Sequence, residues 1–511
     1  MKPIQHFRES MSPPVFLTSS ALIIVFVIYG TVFTSHASVT FERVQGFLVT
    51  NFGWFYILSV TVILVFVIFL AISPLGRIRL GEEHSKPEFN NLSWFAMLMA
   101  AGMGIGLVFF GVAEPIEHYL APVEADARSG AAIRDAMFYT YFHWGFHPWA
   151  IYISFGLPLA YFHFRHGLPM APRSLLYPII GGRIYGWAGH LVDVLATVGT
   201  LFGLGTSLGL GAMQINAGLN ELANVPMDVY LQILIITVIT IIATISVIAG
   251  LKAGIRRLSQ FNMSLAGVIM IFVVIFGPTL YIFETFTSSL GYYLQNLPEI
   301  SLRVEQEGNG KWQADWTLFY WSWWIAWSPF VGIFTARISR GRTVRQFVAG
   351  MLIVPTVIGF FWFAAAGGTA LYIEHFGPGG IAGPTLEDEA LSLFAMLQHL
   401  PFTAISSAAG VLLIVIFFVT SSDSGSFVNV MVTSGGHPNP STIYRVFWCV
   451  IEGVVAATLL YAGGLTALRT ASLTPALPMT VFLLVASYGL FWALQMDARK
   501  KGRPSKGALK R

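Results

Sequence analysis

Charged side chains are scarce in this chain of 511 residues, where they make up 11% of the total. An ordinary soluble domain carries about 25%. The chain therefore lacks the charge to cover the surface of a soluble globule of 56.1 kDa, and its mean hydropathy of +0.69 points the same way. A polytopic membrane protein is the class that remains, with the lipid bilayer as its surroundings.

Cysteine and strong net charge are also nearly absent. A single residue, Cys449, excludes a disulfide scaffold. The net charge is only +4, and the basic residues fall in short scattered clusters, so no nucleic-acid partner is expected. Disorder is excluded by what the chain does contain, namely 42 Phe, 14 Trp and 18 Tyr.

Long continuous apolar runs predict transmembrane helices and disfavour an alternating β-barrel pattern. The fold class expected is an all-α membrane protein. The amphipathic stretch 386–400 is too short to span and predicts a helix at the interface, and 285–315 predicts the longest outer loop. Twelve windows of about 20 residues fit spans: 15–35, 54–73, 93–113, 136–162, 189–213, 229–250, 260–284, 316–337, 345–372, 404–422, 443–463 and 472–496.

The distribution of basic residues sets the expected orientation. If the N-terminus is cytoplasmic, most of the 29 Lys and Arg residues fall in cytoplasmic segments, as the positive-inside rule requires. The sequence therefore predicts a cytoplasmic N-terminus at 1–14, a twelve-helix domain at 15–497 and a short basic cytoplasmic tail at 498–511. The expected location is a bacterial cytoplasmic (inner) membrane.

The third predicted span carries glycine at alternate positions, Gly102, Gly104 and Gly106. Each costs about 1 kcal/mol relative to alanine inside a helix. One interpretation is close helix packing of the small-xxx-small kind. The other is a helix broken within the membrane, whose free carbonyls bind a cation and whose N–H groups bind an anion.

Aromatic residues are concentrated in the fourth and eighth predicted spans. Trp144, Trp149 and Tyr152 fall on one helical face. A second stripe recurs at helical spacing in the eighth span: Trp316, Tyr320, Trp323, Trp324 and Trp327. Such rings are typical of an interfacial belt or of a cage that holds a quaternary ammonium ion over ring faces. The depth of the second stripe favours the cage.

Hydroxyl groups end the tenth predicted span, in Thr420-Ser421-Ser422. They are suited either to ligate a small hard cation or to cap the helix. The acids Glu114, Asp193 and Glu452 read as isolated and structural, with no nucleophile or metal cluster beside them. An enzyme is therefore not expected.

Several motifs together resemble the betaine/carnitine/choline transporter (BCCT) family. The strongest is the run from Asp315 to Trp324, and the resemblance extends over about residues 12 to 497. Further matching stretches are 102–106, 143–152, 327–334 and 336–342. The resemblance implies a LeuT-like core of two inverted five-helix repeats, helices 3–7 and 8–12, after two additional N-terminal helices. It also implies alternating access and a homotrimer.

The resemblance also implies roles for individual residues. Leu204 stands where the family leads one to expect a second hydroxyl ligand. The implied aromatic box is Trp144, Trp149, Tyr152 and Trp324, with Trp323 and Trp327 along the pathway; the implied sodium ligands are Thr420, Ser421 and the carbonyls of Ala100, Met103 and Phe417; the implied second sodium site is Thr200, Phe330 and Phe334.

The leading hypothesis is a sodium-coupled importer of glycine betaine, with sodium as coupling ion and no other cofactor. Gly106 resembles the betaine carriers, because choline-preferring members tend to have Asp there. The absence of Lys and Arg from 189–215 is unlike the ion-free carnitine exchangers. A choline or carnitine carrier, with proton coupling as a variant, is the alternative within the class. An ion channel is the alternative outside it.

Overall fold

The structure is a computed structural model and describes residues 10–102, 104–249, 252–305, 310–437 and 440–502. Those residues form an all-helical bundle, as the apolar runs predicted. Within them no strand occurs, and one isolated antiparallel bridge joins Arg79 to Thr343.

The longer helices follow one another through the chain with short helical turns between them. They are α1 Pro13–Val32, α2 Thr34–Ile72, α3 Asn91–Gly102, α4 Ile105–Leu120, α5 Gly130–Trp144, α6 Phe146–His166, α7 Trp187–Ala223, α8 Val229–Ala249, α9 Lys252–Phe276, α10 Thr279–Ser301, α11 Phe319–Arg337, α12 Val344–Phe376, α13 Thr403–Thr433 and α14 Thr442–Gly502. Short helical turns lie at Pro172–Leu176, Tyr177–Ile180, Gly181–Tyr185, Lys311–Gln313, Ala314–Leu318, Ala382–Glu387, Glu389–Leu391 and Ser392–Gln398.

Eight of the helices in the described ranges are long and apolar enough to cross a bilayer. Each of the twelve predicted windows overlaps helical structure, but the count of twelve spans stays a prediction. The third, fourth and seventh windows are each divided into two helices, between Gly102 and Gly104, at Gly145, and between Phe276 and Thr279. The last two windows lie in α14, whose backbone leaves the helical region at Gly463 and Gly464.

Two local predictions were wrong. The outer loop predicted at 285–315 is helical up to Ser301, because α10 buries an edge formed by Ile282, Ser289 and Tyr293 and packs against α12. The tenth span continues eleven residues past the predicted end at 422, through Thr433, and keeps Asp423 inside the helix. There the Asp423 carboxylate lies 3.2 Å from the guanidinium of Arg445, so it has a partner within the protein.

Helix α11 runs through the centre of the bundle and is buried along almost its whole length. It packs against α6, α7 and α14. Two glycines let α7 approach it closely: a Cβ on Gly199 would meet the Ala326 carbonyl at 3.3 Å, and one on Gly203 would meet the Trp327 backbone nitrogen at 3.3 Å. The tryptophan-rich helix is thus held between its neighbours instead of facing lipid.

Candidate substrate and ion sites

The glycine-rich segment is a break between two helices. α3 ends at Gly102 and α4 begins at Ile105, and between them Gly104 has φ −154° and ψ −141°. The broken-helix interpretation expected this interruption. The first N–H groups of α4 have no helical carbonyl before them, which makes the start of α4 suited to an anion.

The glycines of this break also make room for tryptophans. A Cβ on Gly102 would lie 2.3 Å from the Trp149 ring, and one on Gly106 would lie 2.5 Å from the Trp323 ring. Both distances are shorter than real Cβ contacts. Because no residue larger than glycine fits at either position, the backbone of this segment and the tryptophan rings lie in direct contact.

Four rings from two chain segments come together beside the break. Trp144 ends α5, whereas Trp149 and Tyr152 lie on α6 just after the interruption at Gly145. The Trp144 and Trp324 rings meet edge to face at 5.0 Å, Trp149 and Tyr152 at 5.6 Å, and Tyr152 and Trp324 at 6.3 Å between centroids. The predicted aromatic box is therefore spatially contiguous.

The α11 stripe extends this cluster along the helix. Trp323 stacks on Trp324 at 4.7 Å, and Trp327 lies 6.3 Å from Trp323 and 6.4 Å from Trp324. The four rings Trp316, Trp323, Trp324 and Trp327 are each at most 5% exposed. An interfacial belt is wrong for them, because belt residues face the membrane surface.

Two polar atoms, one in the aromatic box and one beside it, lack a protein partner. The Tyr152 hydroxyl and the Trp327 indole nitrogen are buried, and neither has a hydrogen-bond partner among the described residues. Buried polar groups are usually satisfied. Two donors left over beside an aromatic cluster are consistent with a polar ligand at this place.

Glu114 is a functional candidate that the sequence did not reveal. Its side chain is fully buried in α4. Its Oε2 accepts hydrogen bonds from the Trp144 indole at 2.7 Å and the Tyr320 hydroxyl at 2.6 Å. Its Oε1 lies 2.6 Å from His143 Nδ1 and 3.3 Å from His118 Nε2. The prediction that Glu114 is isolated was therefore wrong.

The other two acids are also partnered. Asp193 forms an ion pair with Arg173 at 2.5 Å. Glu452 accepts hydrogen bonds from the Asn429 amide at 3.1 Å and the Ser422 hydroxyl at 3.3 Å. Tertiary contacts of this kind are invisible in a single sequence, where the partners are far apart.

The implied sodium ligands that the structure describes lie on α13 and in the last turn of α3. The Thr420 hydroxyl donates to the Ile416 carbonyl at 2.8 Å and to that of Phe417 at 3.2 Å. A hydroxyl that donates its proton keeps lone pairs for a cation. Ser421 is half-buried beside it. Ala100 is in the last turn of α3, and Met103 lies outside the described residues.

The implied second sodium site draws on α7 and α11. Thr200 is buried, and its hydroxyl has no partner within the described part of the chain. The Phe330 ring stacks on Trp327 at 5.5 Å, and Phe334 is half-buried one turn further on. Leu204, where a second hydroxyl was expected, is fully buried.

A helical membrane bundle that places a ring cluster against a broken helix has the features of a secondary transporter. Comparison with known proteins agrees, since residues 14–499 match the model of the BCCT, betaine/carnitine/choline family transporter. The chain belongs to this family.

Named relatives cover almost the whole chain. A glycine betaine/proline/choline transporter of Vibrio parahaemolyticus is 43% identical over 95% of this chain and 90% of its own length. A glycine betaine transporter of Bacillus subtilis is 43% identical over 95% of both chains. An uncharacterised transporter of Mycobacterium tuberculosis is 46% identical over 96% of this chain and 84% of its own.

Proposed function

We propose that this protein imports glycine betaine by sodium symport. The observation that carries the proposal is the cage of Trp144, Trp149, Tyr152 and Trp324 beside the break between Gly102 and Gly104. A quaternary ammonium group keeps its positive charge at every pH. Ring faces attract such a cation at about 0.5–2 kcal/mol per contact without requiring a buried acid.

The break provides N–H groups that can bind the negatively charged end of a zwitterion. Betaine carries a carboxylate, and the N–H groups at the start of α4, around Gly104 and Gly106, are suited to receive it. The names of the relatives from Bacillus subtilis and Vibrio parahaemolyticus support betaine as substrate. The name of the Vibrio parahaemolyticus relative also includes choline, so choline is the second candidate for this chain.

The hydroxyl groups on α13, together with the end of α3, support the proposal of sodium coupling. Thr420, Ser421 and the carbonyls of Ala100, Met103 and Phe417 would provide oxygen ligands, and Thr200, Phe330 and Phe334 would form a second site. In this proposal sodium is co-transported cargo. Its binding would stabilise the break in the form that receives betaine.

The rest of the proposal concerns architecture. We infer twelve spans with a LeuT-like inverted-repeat core, both termini in the cytoplasm, a bacterial inner-membrane location, a homotrimer and alternating access. The helix interruptions between Gly102 and Gly104 and at Gly145 support the inverted-repeat core, because such transporters bind substrate at discontinuous helices.

Uptake into proteoliposomes tests the function. Radiolabelled betaine, choline and carnitine are compared under an imposed inward sodium gradient, an inward proton gradient or neither. We expect saturable betaine accumulation that requires the sodium gradient. Accumulation driven by protons alone would overturn sodium coupling, and non-saturable flux would indicate a channel.

A further inference from the structure

One buried carboxylate holds one wall of the aromatic cage, and the residue that anchors a second wall lies against it. Glu114 accepts the indole N–H of Trp144 directly, at 2.7 Å. The Trp324 indole donates to the backbone carbonyl of His143 at 3.3 Å, and the His143 ring is bound to the other oxygen of the same carboxylate. Glu114 therefore fixes the direction of the Trp144 ring directly, whereas the Trp324 ring is fixed by the backbone of the residue beside it.

The hydrogen-bond pattern around Glu114 suits an ionised carboxylate. An indole nitrogen can only donate, so Oε2 must accept from Trp144, and the Tyr320 hydroxyl can donate to the same oxygen. No Lys or Arg of the described ranges forms an ion pair with Glu114; the imidazoles of His118 and His143 lie beside its Oε1 instead.

The cluster of Glu114, His118 and His143 has a composition that could also hold a metal ion. Its contacts argue against that use. The Nε2 of His143 already lies 2.9 Å from the Thr317 hydroxyl, and both Glu114 oxygens have protein partners. A metal bound by these three side chains would have to break the contacts of the Glu114 carboxylate with the two imidazoles.

We propose that Glu114 is a positioning and specificity-determining residue of the cage, acting through Trp144. This inference rests on the proposed function. A carboxylate hydrogen-bonded to an indole makes the ring richer in electrons and adds a negative potential behind it, which strengthens the attraction for an ammonium group. Choline, with a net positive charge, gains the full effect. Betaine gains less, because its own carboxylate opposes the field.

Two substitutions separate charge from geometry. Glu114→Gln removes the charge but keeps an oxygen for Trp144 and an amide for His143. We expect its affinity for choline to fall about tenfold and that for betaine by less than about threefold. Glu114→Asp keeps the charge but shortens the reach, so both affinities should fall by a similar factor. Binding is measured on the purified full-length protein with radiolabelled choline and betaine.

Glu117→Gln is the matched control. It makes the same acid-to-amide change on the same helix, at a side chain that interacts chiefly with Glu389 and Arg469. We expect its choline-to-betaine affinity ratio to stay within about twofold of the unsubstituted protein. An equal shift of this ratio in Glu114→Gln and Glu117→Gln would overturn the proposal, because it would show a general effect of replacing an acid on this helix.

A double-mutant cycle tests action through Trp144. Glu114→Gln combined with Trp144→Phe should be clearly non-additive, since the second change removes the donor that the first acts on. Combined with Trp149→Phe, whose ring has no contact with Glu114, the effects should add. Additive behaviour in both cycles would refute the positioning role. If the unsubstituted protein binds neither choline nor betaine, the proposed function itself fails, and this inference fails with it.

Discussion

Trp323 and Trp324 stack with centroids 4.7 Å apart and planes 14° from parallel, yet their indole N–H groups bond to different helices. Trp323 donates to the Gly203 carbonyl on α7 at 3.1 Å, and Trp324 to the His143 carbonyl on α5 at 3.3 Å. Adjacent rings of one stripe thus join α11 to two separate helices. A movement of α11 would therefore strain hydrogen bonds to both α7 and α5.

Replacing Trp324 with leucine should weaken betaine binding. The change removes one ring face, and a lost cation–π contact of about 1–2 kcal/mol corresponds to about a 5–30-fold rise in Kd. Equilibrium binding of radiolabelled betaine measures it. Trp321→Leu is the control, because Trp321 lies on the same helix but stacks on His147 at 5.2 Å. Equal losses in the two variants would count against the cage.

Alanine at Gly106 should impair uptake strongly. Its Cβ would lie 2.5 Å from the Trp323 ring and 3.2 Å from that of Trp144, so both rings must shift. We expect at least about a tenfold loss in affinity, comparable to the loss of a full cage contact. Gly267→Ala in α9 is the control, because a Cβ there meets nothing within 4 Å. Normal betaine uptake by Gly106→Ala would show that the rings tolerate displacement.

Removing the α13 hydroxyls should raise the sodium concentration needed for half-maximal uptake. Thr420→Ala with Ser421→Ala deletes two proposed oxygen ligands, whereas Thr420→Ser, the matched control, keeps both. The sodium concentration for half-maximal uptake should rise about tenfold or more if both oxygens bind the ion. Ser424→Ala serves as a control from the next turn of the same helix. A sodium dependence that is unchanged in the double variant would place the ion elsewhere.

Breaking the ion pair of Arg469 should destabilise the folded protein. The guanidinium lies 3.0 Å from the Glu389 carboxylate, each side chain is 13% exposed, and it sits 5.4 Å from the Phe319 ring. Arg469→Met leaves a buried acid unpaired, at a cost of about 3–5 kcal/mol. Thermal unfolding in detergent should show a clear fall in Tm, and adding Glu389→Gln should restore part of it. No recovery in the double variant would mean that packing, and not charge, sets the cost.

The sequence supports prediction where a signal is local. Continuous apolar runs locate the helices, and alternate glycines between residues 102 and 106 locate a break. The helix at Thr279–Ser301 was not predicted over its full length. The charge at its end, at Glu299, is typical of a loop, and its buried edge against α12 cannot be read from the sequence.

Contacts between distant segments could not be predicted. Glu114 and Tyr320 are 206 residues apart in the chain, and their hydrogen bond exists only because α4 and α11 meet. The pair Glu114 and His118, four residues apart on one helix face, was the only local sign of the cluster. With one sequence, such an acid cannot be distinguished from a structural one.

The single cysteine offers a practical route to the motions of this molecule. Cys449 is fully buried, and its sulfur lies 3.5 Å from the hydroxyls of Thr244 and Ser422, where a bulky maleimide has no access. The native chain should therefore react very little with thiol-specific labels. Pairs of introduced cysteines can then carry spin labels or fluorophores for distance measurements, against a background that requires no prior removal of native thiols.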